Sequence, residues 1–341
     1  MPDDIAALVD CAARMPKAEL HLPLEGTLEP EMLLEFAERN GVRTRFSSAE
    51  EVRRAYDFAN LQSFLDLYYD GISVLRTSAD FHDLTAAYLK RAEADGIRHV
   101  EPFFDPQAHT RRGVPFEDVV DGIVSALREA ENEHGITWRL IMCFLRDLSV
   151  ADAIQTLGDA LPYSNVIRGV GLDSSEIGNP PEKFAGVFEL ARSEGFETVS
   201  HAGEEGDADN VRQTLDVLRV SRIDHGIAAM SDPDLVARLV AEEVPLTVCP
   251  LSNVKLRVYP SVSEHPLRDM LEAGIVATVN SDDPAYFGGY LVDNYRAAIE
   301  ELALGREHLH ALARNSFEAS FLGPAEKDAR VAEVDAFFAQ E

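Results

Sequence analysis

Eight short runs of apolar, β-branched and aromatic residues punctuate this chain, and the stretches between them carry apolar residues at helical spacing. The runs are Ala18 to His21, Ile97 to Phe104, Trp138 to Leu145, Val166 to Leu172, Glu197 to His201, Arg222 to His225, Pro245 to Cys249 and Ile275 to Asn280. Runs of this length predict strands, and the amphipathic intervals predict helices. Eight β/α units in succession predict parallel strands closed into a (β/α)8 TIM barrel, an α/β fold, with residues 1–341 forming a single domain. The interval from Glu29 to Asp95 is too long for one crossover helix. Pro30 to Asn40 and Leu61 to Leu75 read as helices within it, so a helical insertion follows strand one, placed to act as a lid over the barrel mouth or as a structural cap. The chain ends in a helical segment, Val292 to Phe338, polar on one face.

Composition narrows the function classes. With 341 residues, 46% hydrophobic and 27% charged, the chain buries a large core. A formal charge of −29 argues against nucleic acid and anionic membrane surfaces as partners, because both require clustered Lys and Arg. Only 5 of the 31 basic residues are Lys; an acidic, Arg-rich balance speaks of a saline cytoplasm or a GC-rich genome more than of mechanism. The opening residues, Met1-Pro2-Asp3-Asp4-Ile5, have neither the basic start nor the apolar stretch of a signal peptide, so a cytoplasmic protein is expected, with homo-oligomerisation left open. Cys11, Cys143 and Cys249 are odd in number and widely spaced, and read as small buried apolar residues.

The chemistry gathers at the ends of the apolar runs. His21-Leu22-Pro23-Leu24-Glu25-Gly26-Thr27, His201-Ala202-Gly203-Glu204, Asp224-His225-Gly226 and Asn280-Ser281-Asp282-Asp283-Pro284 each close one. In a parallel barrel these ends converge on one face, where imidazoles and a carboxylate from separate strands can hold one divalent ion and leave a Glu and a His to move protons. That pattern describes a metal-assisted hydrolase. Side chains alternate along a strand, so His21 and residue 23 share a side, but Pro23 has no ligand atom.

Together with Pro16-Lys17-Ala18-Glu19-Leu20-His21 and Cys249-Pro250-Leu251-Ser252-Asn253, these motifs stand in the order found in the adenosine/adenine deaminase family of metal-dependent barrel hydrolases, which the chain resembles nearly end to end. Leu24-Glu25-Gly26-Thr27, Gly171-Leu172-Asp173-Ser174-Ser175-Glu176 and Asp283-Pro284-Ala285-Tyr286-Phe287-Gly288-Gly289-Tyr290 resemble its bacterial adenine deaminase branch. The resemblance implies one zinc per chain on His21, His201 and Asp282. It implies a protonated Glu204 donating to purine N1, His225 orienting a water and taking or stabilising its proton, Asp283 near N7, and the backbone around Gly171 near N3. Adenine would give hypoxanthine and ammonia. Glu25, longer than the Asp usual in adenosine deaminases, is expected to exclude a ribose sterically, so a small purine base is the expected partner and adenosine or a substituted adenine the alternative.

The family pattern has His at position 23. Two His and one carboxylate still suffice for zinc in other hydrolases and also suit non-haem iron, but the change to Pro23 is expected to weaken metal affinity and turnover. A metal-poor purine-binding protein is the alternative from another class; Glu204 and His225, of little use in passive binding, favour an enzyme. His82, His99, His109, His134, His265, His308 and His310 show no ligand spacing, Asp105-Pro106-Gln107-Ala108-His109-Thr110 follows a strand end and reads as a turn, with lining of the pocket as the alternative, and Glu205 reads as solvated or as capping the next helix.

Overall fold

A computed structural model describes residues 4–340. Its strands are β1 (Lys17–Glu19), β2 (Ile97–Val100), β3 (Phe103–Phe104), β4 (Thr137–Trp138), β5 (Leu140–Leu145), β6 (Ile167–Asp173), β7 (Glu197–Ala202), β8 (Arg222–His225), β9 (Leu246–Val248) and β10 (Ala277–Val279). All pairings are parallel. They form one ladder β10-β9-β8-β7-β6-β5-β3 and a second, β1-β2-β4. Pro102 has no N–H to give and separates β2 from β3, and Arg139 separates β4 from β5, so the ten segments occupy eight strand positions of a (β/α)8 barrel.

The two ladders are continuous in space. Arg139 N donates to Val100 O (3.0 Å), Ile141 N to Pro102 O (3.1 Å) and Phe103 N to Leu22 O (3.0 Å). The last seam, between β10 and β1, is made by a side chain: Leu20 N donates to Asn280 Oδ1 at 2.8 Å, and one turn on, Asp282 N donates to His21 O at 3.2 Å. The helix Arg306–Glu318 lies across this seam. There Ser316 Oγ accepts from Ala18 N (2.9 Å) and Asn315 Nδ2 donates to Ala277 O (2.9 Å), so the two strands are held by one outer helix.

The barrel interior is polar at one level. Arg222 and Glu101 are fully buried and paired at 2.6 Å, with His99 Nε2 3.1 Å from the other Glu101 oxygen. Arg222 Nη2 also donates to Leu20 O (3.2 Å) and Nη1 to Ala319 O (3.1 Å), while its Nε–H has no partner among the described residues. Each buried charge therefore has partners. Between β1 and β2 lie the helices Pro30–Arg39, Ala49–Arg54, Leu61–Gly71 and Ser78–Ala94. The last packs against the next crossover helix, Phe116–His134, with Gly122 placed where a Cβ would meet Ser78 O at 2.3 Å; it is the ordinary crossover of the first β/α unit. The added helices are thus the first three, ending before residue 78. No helix among the described residues is long and apolar enough to cross a membrane.

Candidate active site and metal centre

His21, His201, His225 and Asp282 meet at the C-terminal mouth of the barrel, delivered from four strand ends. Two of them need unusual backbone to get there: His225 (φ 62°) and Asp282 (φ 59°) lie in the left-handed region, as does Ser174 (φ 68°) across the mouth. Non-glycine residues reach this region at a cost, and three of them around one cavity mark a site where strain is held by surrounding contacts. Gly203 (φ 71°) turns the chain between His201 and Glu204, and a Cβ there would meet Val211 at 2.5 Å.

The hydrogen bonds around the rings fix which nitrogen faces the cavity. Thr247 Oγ1 donates to Asp224 Oδ1 (2.8 Å), so toward His21 Nδ1, 3.0 Å away, it accepts; His21 carries a hydrogen on Nδ1, and in the neutral ring Nε2 has the lone pair, 3.4 Å from Asp282 Oδ1. Asp224 Oδ2 lies 3.5 Å from His201 Nδ1 without a hydrogen bond formed between them, and the carboxylate charge there favours the hydrogen of that ring on Nδ1. Ser252 Oγ donates to Asp282 Oδ2 at 2.7 Å, leaving Oδ1 toward His21. Two imidazole lone pairs and a carboxylate oxygen are thereby aimed at one place, and His21 Nε2 has no hydrogen-bond partner among the described residues. Burial opposes charge on His21, but Asp224 and Asp282 outweigh it and hold the ring above its usual imidazole value; Asp282, opposed by burial too, is held far below the usual carboxylate range by His21. A site that favours positive charge at this point suits a divalent cation, and the donor set of His21, His201 and Asp282 fits one.

His225 is oriented differently. Leu267 N donates to His265 Nδ1 (3.2 Å), which puts the His265 hydrogen on Nε2, 3.0 Å from Asn253 Oδ1. The Asn253 amide then turns its Nδ2 hydrogens toward His225 Nδ1 at 3.5 Å, so neutral His225 carries its hydrogen on Nε2. Burial and the neighbouring His21 lower His225 to about 3, keeping it neutral at ordinary pH. Its Nε2–H points between Glu204 Oε2 (3.5 Å) and Asp282 Oδ2 (4.0 Å). His225 is therefore a hydrogen-bond donor to the cavity, while His21 and His201 are acceptors.

Glu204 is buried beside Asp282, Glu176 and Glu205, and burial first, then these three negative neighbours, raise its carboxyl well above the usual range. Its position is set by Glu176, whose carboxylate accepts from three successive amides: Gly203 N (2.9 Å), Glu204 N (2.8 Å) and Glu205 N (3.2 Å). Asp283 is raised in the same way by burial and by Asp282. It packs so closely on Gly26 that a Cβ there would fall 2.3 Å from Asp283 Oδ1.

Pro23, Phe103, His201, Glu204, His225, Asp282 and Asp283 line the cavity together with Asp105, Asp173, Ser174 and, from the helix Leu61–Gly71, Leu61, Phe64, Leu65, Tyr68 and Tyr69. That helix forms the apolar roof. Two expected contacts fall elsewhere. Gly171 lies in the barrel wall, where a Cβ would meet Cys143 Sγ at 2.3 Å; β6 runs on to Asp173, so Asp173 and Ser174 reach the cavity instead. Glu25 stands behind the lining, accepting from Asp105 N (3.1 Å) and lying 2.8 Å from His109 Nε2. The three cysteines are buried and free, and Cys143 Sγ lies within 4.8 Å of carboxylate oxygens of Asp105 and Asp173. Asp105, Asp224, Glu176, Ser252, Asn253 and His265 are the residues missed as contributors. Asp224, Glu176, Ser252 and Asn253 stand inside the quoted family motifs and Asp105 opens the segment read as a turn, which was the available signal; His265 had none.

Imidazoles and a carboxylate with free lone pairs, beside a protonated glutamic acid, at the C-terminal mouth of a parallel barrel define a hydrolase of the metal-dependent barrel class. Comparison with known proteins places it further. The adenosine deaminase family model matches residues 16–337, and the chain belongs to that family. An adenine deaminase from Sphingopyxis alaskensis is 58% identical over 340 residues, covering 99% of this chain and 100% of that one, and one from Cupriavidus necator is 57% identical, covering 98% and 95%. The crystal structure of adenine deaminase from Arthrobacter aurescens superposes with a TM-score of 0.93 at 49% identity, covering 95% of this chain and 99% of that one. An amidohydrolase from Burkholderia ambifaria with bound Zn superposes with a TM-score of 0.87 at 25% identity, covering 98% and 94%.

Proposed function

We propose that this chain hydrolyses adenine to hypoxanthine and ammonia, with His21, His201 and Asp282 holding a zinc ion. The observation that carries this reading is the juxtaposition of a protonated Glu204 and the Nε2–H of His225, 3.5 Å apart, beside a lone-pair cluster in one buried cavity. Near-full-length relatives named adenine deaminase supply the substrate. When bound, the metal supplies a water acidified toward neutrality.

The chain's own groups do the rest. Addition of oxygen to C6 moves an electron pair onto N1, and the Glu204 carboxyl donates its proton there, which it can do because burial keeps it protonated. His225 Nε2–H donates to the oxygen that approaches C6 and holds its lone pairs in place. Asp283, also protonated, donates to N7 and fixes the rotation of the ring. One proton of the attacking water goes to the exocyclic nitrogen, the bond from C6 to that nitrogen breaks and ammonia leaves, and the remaining C6–OH proton returns to the Glu204 carboxylate as the C6 carbonyl of hypoxanthine forms; the apolar roof of Leu61, Phe64 and Leu65 keeps bulk water from the reacting edge.

The test is ammonia release from adenine and from adenosine, paired with elemental analysis of the purified protein. Zinc with turnover of adenine is expected; zinc with no turnover of either, or turnover of adenosine alone, would overturn the assignment.

A further inference from the structure

Three residues of one helical turn stand against the metal centre, and one of them has no task in the steps above. β9 runs between β8 and β10, the strands that deliver His225 and Asp282, and Cys249-Pro250-Leu251-Ser252-Asn253 follows it. Asn253 N donates to Cys249 O (3.0 Å), which closes the turn. Ser252 Oγ holds Asp282 and the Asn253 amide holds His225. Cys249 is fully buried, and its thiol has one long contact, to Thr247 O at 3.8 Å. Its Sγ, a His21 ring nitrogen and an Asp282 carboxylate oxygen all lie within 4.8 Å of one another.

Position 23 leaves this centre short of a donor. Pro23 lines the cavity beside His201 and Asp282 but carries no ligand atom, while His21 Nε2 is buried and without a hydrogen-bond partner among the described residues. Buried polar atoms are seldom left unpaired. His225 does not fill the gap, because the relay from His265 through Asn253 puts its hydrogen on Nε2, the nitrogen that faces the cavity. Asp224 stands behind the rings, on the Nδ1 side of both His21 and His201. That leaves the Cys249 sulfur beside His21 and Asp282. Charge points the same way: a divalent ion on two neutral imidazoles and one carboxylate keeps an unbalanced positive charge in a buried site, and a thiolate cancels it.

We infer that Cys249 is a direct ligand of the metal in this chain, supplying as a thiolate the donor that Pro23 lacks. The inference rests on the proposed zinc site of His21, His201 and Asp282 and adds a fourth side chain to it. As the metal–sulfur bond forms, the S–H bond breaks and its proton leaves to solvent. Thiolate is the softest donor in the set, so the site should retain Zn(II) and Co(II) in preference to the harder Mn(II).

The experiment loads Co(II) into the full-length protein after zinc removal, because a thiolate bonded to cobalt gives an intense near-ultraviolet charge-transfer band that nitrogen and oxygen donors do not. The unmodified protein should show the band. Cys249→Ser and Cys249→Ala should lose it and Cys143→Ala should keep it, which identifies the sulfur. Zinc retention against a competing chelator should fall by more than about 100-fold in both Cys249 variants, beyond the range of about 10–100-fold for a residue that only supports a ligand. Combined with Pro23→His, the same Cys249 replacements should cost about tenfold or less, since an imidazole then supplies the donor. Cobalt bound without the band would overturn the inference and leave the three-residue site standing. Equal losses of zinc with and without Pro23→His would also overturn it, and a chain that binds neither zinc nor cobalt would overturn the metal site as well. Should Cys249→Ala fail to fold, Cys249→Ser, which is close in size, carries the test.

Discussion

His265 Nε2 lies 3.0 Å from Asn253 Oδ1, and this contact determines which hydrogen His225 presents to the substrate. With the His265 hydrogen committed to Asn253, the amide cannot turn over without losing its acceptor contact, and the His225 tautomer is fixed from behind. Nothing in this relay touches the cavity except its last member.

The relay predicts that His265→Ala frees the Asn253 amide and lets His225 take either tautomer. Because such partners orient a group rather than bind substrate, kcat should fall by about 10–100-fold with KM nearly unchanged. His265→Gln, whose amide can still donate to Asn253, should recover much of the loss. Steady-state kinetics on adenine check both; a KM effect as large as the kcat effect would contradict the positioning role.

Glu176 makes a second positional prediction. Its carboxylate holds three consecutive amides of the turn that carries Glu204. In Glu176→Gln one acceptor oxygen becomes an NH2 group facing at least one of those N–H donors, so the turn should loosen and Glu204 should drift from N1. The expected result is a fall in kcat of about 10–100-fold with the zinc content of the protein unchanged. Loss of zinc together with activity would assign Glu176 to the metal cluster instead.

How much of this was legible in the sequence divides along physical lines. Strand positions were readable because each apolar run is bounded by polar or turn residues, and the residues that close the runs at 201, 204, 225 and 282 do converge at the mouth. The break at Glu101-Pro102 was missed because Ile97 to Phe104 was read as one run, and Pro102, which has no N–H, interrupts it. Gly171 was placed near the substrate by the resemblance; β6 runs on to Asp173, so Asp173 and Ser174 reach the cavity and Gly171 stays in the wall. His265 was set aside for want of ligand spacing and Asp105 as part of a turn, yet His265 acts through Asn253 and Asp105 lines the cavity beside Asp173, placements that no local pattern encodes.

Position 23 carries a prediction about metal. Pro23 lines the cavity with His201, His225 and Asp282, and its backbone joins the barrel only through a parallel bridge to Phe103. Pro23→His therefore places an imidazole beside the lone-pair cluster with little disturbance of the sheet. Zinc retention against a competing chelator should rise by about 10–100-fold, and turnover with it. Unchanged retention and turnover, by elemental analysis and ammonia release, would mean that His21, His201 and Asp282 already complete the site.

The buried pair of Arg222 and Glu101 links stability to pH. Burial works against charge on Glu101, but Arg222 at 2.6 Å and His99 outweigh it, and its carboxyl is lowered from the ordinary 4.5 to about 2 in the folded chain. A folded-state value below the unfolded one means that the unfolded chain binds the proton first. The stabilisation is thus complete above about pH 4.5 and drains away as pH falls toward 2. Glu101→Gln removes the charge but leaves Arg222 fully buried among Leu20 O, Ala319 O and the ring of Phe321, with no anion to balance it. Breaking a buried pair from one side costs about 3–5 kcal/mol. Denaturant unfolding at pH 7 should show a loss of that order, and the variant should have a shallower acid limb between about pH 4.5 and 2 than the unmodified protein. A variant as stable as the parent at pH 7 would mean that Arg222 finds its compensation in the carbonyl oxygens and the Phe321 ring alone.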